Sequence, residues 1–120
     1  NSCGLSCDTS GADGLKKLLA AVRARFGQGV LVTAAISADG TDGGHLTKSD
    51  YVGAAQSVDW FDLMAYDYFG AFNPQGPTAP HSPLQSYTGM PTPNFDAEAA
   101  VHYLEGVGVP ASKLMLGVGF

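Results

Sequence analysis

The sequence predicts an α/β fold in which helices and parallel strands alternate, laid out as part of a (β/α)8 barrel. Three observations carry this expectation. Segments with apolar residues at helical spacing alternate with short apolar runs, many of them bounded by glycine, in the order α-β-α-β-α-β. Continuous rather than alternating apolar runs are the pattern of parallel strands covered on both faces, and strands separated by helices imply parallel βαβ units. Such units build either an open doubly wound sheet or a barrel. No G-x-G-x-x-G or P-loop lysine pattern follows any of the runs, so the open sheet loses its usual phosphate cradle and the barrel is favoured.

The first helix is read from Asp13, with Leu15, Leu18, Leu19, Val22 and Phe26 on one face, Lys16, Lys17, Arg23 and Arg25 on the other, and Gly27 ending the pattern. The run VLVTAAIS, Val30 to Ser37, is a buried strand by composition. Thr47 and Asp50 resemble an N-terminal cap, and Tyr51, Ala54, Ala55 and Val58 continue at helical spacing into a short second helix. The segment FDLMAYDYFGAF, from Phe61 to Phe72, opens as a second strand. From Gly70 to Asn94 the chain is too rich in Pro, Gly and Ser for regular structure, and a loop that long in a compact domain is usually functional. Ala97, Ala100, Val101 and Leu104 mark a third helix ending at Gly106, and KLMLGVGF from Lys113 is the third strand.

Composition narrows the function. The 120 residues carry six basic and eleven acidic side chains, a net charge of −5, which is the wrong sign for a phosphate-binding surface and argues against a nucleic-acid partner. The apolar runs fall far short of the roughly 20 residues of a membrane helix, so no membrane partner is expected. The three histidines, His45, His81 and His102, have no partner at metal-ligand spacing and read as surface or loop residues, and no metal or other cofactor is expected. Cys3 and Cys7 lie in a Ser- and Gly-rich stretch, where a small-loop disulfide and two free thiols are both open. The disulfide is the expectation, and with it an extracytoplasmic location.

The segment Tyr66-Asp67-Tyr68 raises a chemical question, because an unpaired carboxylate at the end of an apolar strand is costly unless something polar faces it. Taken alone, the residues also suit a buried tyrosine bonded to the backbone and an aspartate capping a turn. Ligands of parallel α/β folds bind beyond the carboxyl ends of the strands, which is where this segment and the long loop lie.

The stretch DLMAYDYFGAF resembles the Met-x-Tyr-Asp strand of the family 18 glycoside hydrolases, the chitinases. LVTAAISADG resembles the preceding barrel strand of that family, GPTAPHSPL its following loop, and GVPASKLMLGVGF its next strand. The four segments are collinear over essentially the whole chain and are most similar to the secreted bacterial type. One departure is Ala65, where the family more often has a small hydroxyl residue.

The resemblance implies that residues 1 to 120 are an internal fragment of one catalytic barrel domain, about three βα units, because a complete barrel takes about 250 residues. The family's acidic signature, with its general-acid glutamate, would lie upstream of Asn1 and the last strand beyond Phe120. It also implies a retaining, substrate-assisted hydrolysis of β-1,4-linked N-acetylglucosamine polymers, in which the sugar's own acetamido group replaces an enzyme nucleophile. Tyr66 and Asp67 would be the catalytic residues here, the phenol donating to the acetamido oxygen and the carboxylate orienting the group and stabilising positive charge. Met64 would wall the acetamido pocket and Phe72 would stack on a sugar, while Trp60 would pack outside the barrel or at the strand start and Asp59 and Asp62 would be structural. The implied partner is chitin or a chito-oligosaccharide, and the full-length form is expected to be secreted and monomeric. A chitinase-like lectin lacking the glutamate and an endo-β-N-acetylglucosaminidase share these features.

Overall fold

The computed structural model describes Thr9 and residues 11–120. Cys3 and Cys7, and the disulfide expected between them, lie outside the described residues.

Helix α1, Asp13–Phe26, starts with an acid in its first turn and ends at Gly27, whose N–H donates to the Arg23 carbonyl. Its contact face is narrower than the sequence pattern: Leu19 is buried with Leu15 and Val22 beside it, whereas Leu18 and Phe26 are exposed. Strand β1 is Thr33–Ser37, shorter than the apolar run that predicts it, because Val30 and Leu31 are exposed and Val32 bonds to the Asp59 side chain. A 3-10 turn over His45–Lys48 buries Leu46. Helix α2 is the single turn Tyr51–Ala54, capped by Asp50, whose carboxylate accepts from the Gly53 N–H.

Strand β2, Trp60–Met64, buries Phe61 and Leu63 and exposes or half-exposes Trp60, Asp62 and Met64. Helix α3, Ala97–Val107, is capped by the nearly fully buried Asp96 and buries Ala97, Ala100 and Leu104. It runs past Gly106, because the left-handed turn that ends it falls at Gly108, with φ 108°. A 3-10 turn at Ala111–Lys113 leads to β3, Leu114–Leu116. No helix among the described residues is long and apolar enough to cross a membrane.

The three strands form one parallel sheet in the order β1-β2-β3, with Ala35 opposite Asp62 and Asp62 opposite Met115. That register sorts side chains into two layers. Ile36, Phe61 and Leu63 point into the helix-covered core, where Tyr51 meets Phe61 edge to face at 5.8 Å. Thr33, Ala35, Met64 and Met115 line the opposite face, and all are exposed. Covering on both faces, as the apolar runs predict, is therefore seen on one face only. The fold is three adjacent strands of a (β/α)8 barrel, and the open face is the one that lines a barrel's interior. Trp60 belongs to this inner face, where its indole N–H donates to Asp62 at 3.0 Å, so it stands at the strand start and does not pack the exterior.

Candidate active site

At the carboxyl end of the middle strand the chain leaves the sheet in a turn that sorts its side chains. Ala65 is buried, Tyr66 is partly exposed, Asp67 is exposed and Tyr68 is buried. The reversal occurs at Asp67, whose φ is 58°, a left-handed conformation that aspartate tolerates better than most side chains. Tyr68 anchors the turn from below. Its hydroxyl donates to the Ala38 carbonyl just after β1 at 3.1 Å, and its N–H donates to the His81 carbonyl at 2.9 Å. Phe95 packs edge to face on both Tyr68 and Phe69, at 4.7 and 5.5 Å. Burial pushes the Tyr68 phenol up, and the Asp96 and Asp39 carboxylates add to the shift.

The long loop returns to the same strand end. The Ser82 hydroxyl donates to the Ala65 carbonyl at 2.6 Å, and His81 Nδ1 lies 4.0 Å from Asp67 Oδ1. The tail of β3 closes the other side. The Gly117 N–H donates to the Leu63 carbonyl at 2.8 Å, extending the ladder by one residue. A Cβ on Gly117 would lie 2.9 Å from Tyr66 Cε1, so the Tyr66 ring rests on a strip of bare backbone.

Met64, Tyr66 and Asp67 are thus gathered at one strand end, with Met64 opposite Ser37 in the ladder. Phe72 lies further out on the loop, its ring against Gly70 and largely exposed. A second carboxylate, Asp39, follows β1 but is already engaged. Partial burial pushes its carboxyl up, yet the Thr41 hydroxyl and the N–H groups of His45 and Thr41 outweigh this and hold it below the usual range. Asp59, just before β2, and Asp62, in its middle, are occupied by Arg23, Val32 and Trp60.

His45 lies in the turn after β1 and His102 on α3, as the sequence suggests for surface residues. His81 is in a loop, but that loop brings it to Asp67. Ligand spacing between histidines could not find it, and nothing in the neighbouring GPTAPHSPL stretch pairs it with Asp67. Among the described residues no group of three or more His, Cys, Asp or Glu is placed to hold a metal. An apolar hollow of about 250 Å³ bounded by Leu84, Ala97, Val101 and Leu116 lies beside α3 and contains none of Met64, Tyr66 and Asp67. What the strand end offers is a phenol donor beside a carboxylate acceptor, suited to a neutral polar ligand.

The family model of the glycosyl hydrolases family 18 matches residues 4–120. The chain belongs to this family. Within it, the chain is 49% identical to chitinase C of Streptomyces lividans over 121 aligned residues, all of this chain and 20% of that protein. The family 18 chain therefore spans about a fifth of that relative's length. The Group IV chitinase of Ostrinia furnacalis has a similar structure, with a TM-score of 0.73 and 30% identity over 86% of this chain and 28% of the other. Catalytic domain 2 of the Group II chitinase of the same organism, solved as a mutant in complex with penta-N-acetylchitooctaose, gives 0.70 and 28% over 89% and 26%.

Proposed function

We propose that this chain is part of a chitinase catalytic domain that cleaves β-1,4-linked N-acetylglucosamine polymers by substrate-assisted hydrolysis with retention. Family membership supports the substrate class. The observation that carries the reading is the pairing of Tyr66 and Asp67 on one turn at the carboxyl end of the middle strand, the end at which barrel enzymes do their chemistry.

In this reading the acetamido oxygen of the bound sugar attacks its own anomeric carbon. The glycosidic oxygen leaves with a proton from a general acid, and water then opens the cyclic oxazolinium-like intermediate from the same face. The Tyr66 hydroxyl donates to the acetamido group, Asp67 orients it and offsets the positive charge that develops, and Met64 walls the pocket. A preorganised group of this kind contributes on the order of 3 kcal/mol to the barrier. The only glutamates, Glu98 and Glu105, both lie on α3 in the helix layer. In this reading neither of them is the general acid. An insoluble polymer is met outside the cell, which supports an extracellular location.

The test is steady-state hydrolysis of a soluble chito-oligosaccharide by a full-length protein carrying these residues. Tyr66→Phe and Asp67→Asn should each lower kcat about 100-fold, the loss expected for one preorganised group, and product anomers should show retention. Wild-type kcat in both variants would remove this strand end from the mechanism. A full-length protein that binds the oligosaccharide and releases no product would be a carbohydrate-binding protein of the same fold.

A further inference from the structure

Two backbone anchors bring the loop to the site: the His81 carbonyl accepts from the Tyr68 N–H at 2.9 Å, and the Ser82 hydroxyl donates to the Ala65 carbonyl at 2.6 Å. They fasten the loop on either side of the Tyr66–Asp67 turn and leave the His81 imidazole beside the Asp67 carboxylate, Nδ1 to Oδ1 4.0 Å. Among the described residues no other basic side chain comes within that distance of Asp67. The imidazole is also confined from behind. A Cβ on Gly119 would meet His81 Cε1 at 2.5 Å and Tyr66 Cβ at 2.9 Å, so the two side chains share the space that this glycine leaves open. Asp67 itself is exposed and has left-handed backbone geometry. Such a conformation persists where surrounding contacts over-determine it.

We propose that His81 is a positioning residue for Asp67, its Nδ1–H holding the carboxylate in the direction that faces the sugar. The proposal rests on the role given to Asp67 above. An exposed carboxylate rotates freely about its side-chain bonds unless a donor holds it, and the imidazole supplies a donor from a ring that Gly119 and the loop anchors keep in place. A modest rotation of Asp67 closes 4.0 Å to hydrogen-bond distance. Because His81 acts through Asp67, its contribution should vanish when Asp67 no longer carries charge.

The experiment is a double-mutant cycle in the full-length protein, with kcat and KM measured on a soluble chito-oligosaccharide and thermal unfolding followed in parallel. His81→Ala should lower kcat about tenfold with KM changed less than about twofold. His81→Asn, which returns an N–H donor near the position of Nδ1, should recover most of the loss; this variant carries the test if the alanine variant folds poorly. In the Asp67→Asn background, His81→Ala should cause no further loss. Wild-type kcat in His81→Ala, failure of His81→Asn to recover activity, or a further tenfold loss in the Asp67→Asn background would each overturn the proposal while leaving the catalytic reading intact. Wild-type kcat in Asp67→Asn alone would overturn both.

Discussion

The Tyr66 ring occupies the space that a side chain at Gly117 would need. A Cβ at residue 117 would sit 2.9 Å from Tyr66 Cε1 and would overlap the Leu63 carbonyl oxygen, which already accepts the Gly117 N–H. The second obstacle is backbone, so it cannot swing aside. Gly117→Ala should destabilise the protein by about 1–3 kcal/mol, the usual cost of overpacking, and should lower kcat as Tyr66 is displaced. Urea unfolding and oligosaccharide kinetics on the full-length protein measure both, and unchanged values would show that Tyr66 is held by other contacts.

Tyr68 is placed to hold the turn without touching a ligand. Removing its hydroxyl in Tyr68→Phe leaves the Ala38 carbonyl without that donor and should cost about 1–3 kcal/mol. The pH dependence has a definite sign. Burial raises the folded phenol above its ordinary value of 10.0, so its contribution is fully present below that pH and is lost as pH rises and the unfolded chain ionises first. Wild type should lose stability above pH 10 more steeply than Tyr68→Phe. Parallel curves would assign the alkaline loss to other groups.

Much of this arrangement is legible in the sequence because local rules and the fold agree there. The 3.6-residue spacing and Gly27 give α1 its bounds, and the Pro- and Gly-rich composition gives the long loop. The Tyr66–Asp67 turn is legible as chemistry out of place at the end of an apolar run. What escapes is decided by tertiary contacts. Val30 and Leu31 look like strand but remain exposed, and the ladder begins only after Asp59 captures the Val32 N–H. Thr47 reads as a cap, yet its hydroxyl bonds to the Gly44 carbonyl in a separate 3-10 turn and leaves α2 a single turn capped by Asp50. His81 escapes for the same reason, since nothing near it in sequence points to Asp67.

Asp59 ties the amino ends of two strands to α1. Its N–H donates to the Val32 carbonyl at 2.8 Å, while its carboxylate accepts from the Val32 N–H and from Arg23 Nη2, each at 2.7 Å. These two donors, the Val32 N–H first and Arg23 second, hold the carboxyl below its ordinary 3.8. A depressed folded value means that the stabilisation is present above pH 3.8 and is lost as pH falls below it through the folded value. Asp59→Asn should therefore be less stable than wild type at about pH 7, and the gap should narrow by about pH 3. Urea titrations at the two pH values measure it, and a gap independent of pH would mean that the charge contributes nothing.

Phe72 tests a different part of the functional reading. Its ring lies against Gly70 and is 68% exposed, so truncating it removes little buried area and should leave the unfolding midpoint close to wild type. A stacking surface away from the reacting bond holds substrate and transition state alike, and losing it weakens both equally. Phe72→Ala should therefore raise KM about tenfold on a soluble chito-oligosaccharide, equivalent to about 1.4 kcal/mol of binding, with kcat nearly unchanged. In the proposed mechanism the positive charge that Asp67 would offset develops only as the anomeric bond breaks, so Asp67→Asn should do the reverse. The two variants measured side by side separate binding from chemistry along one loop. If Phe72→Ala lowers kcat at unchanged KM, the ring acts at the reacting sugar, and if neither constant changes, the sugar does not reach this part of the loop.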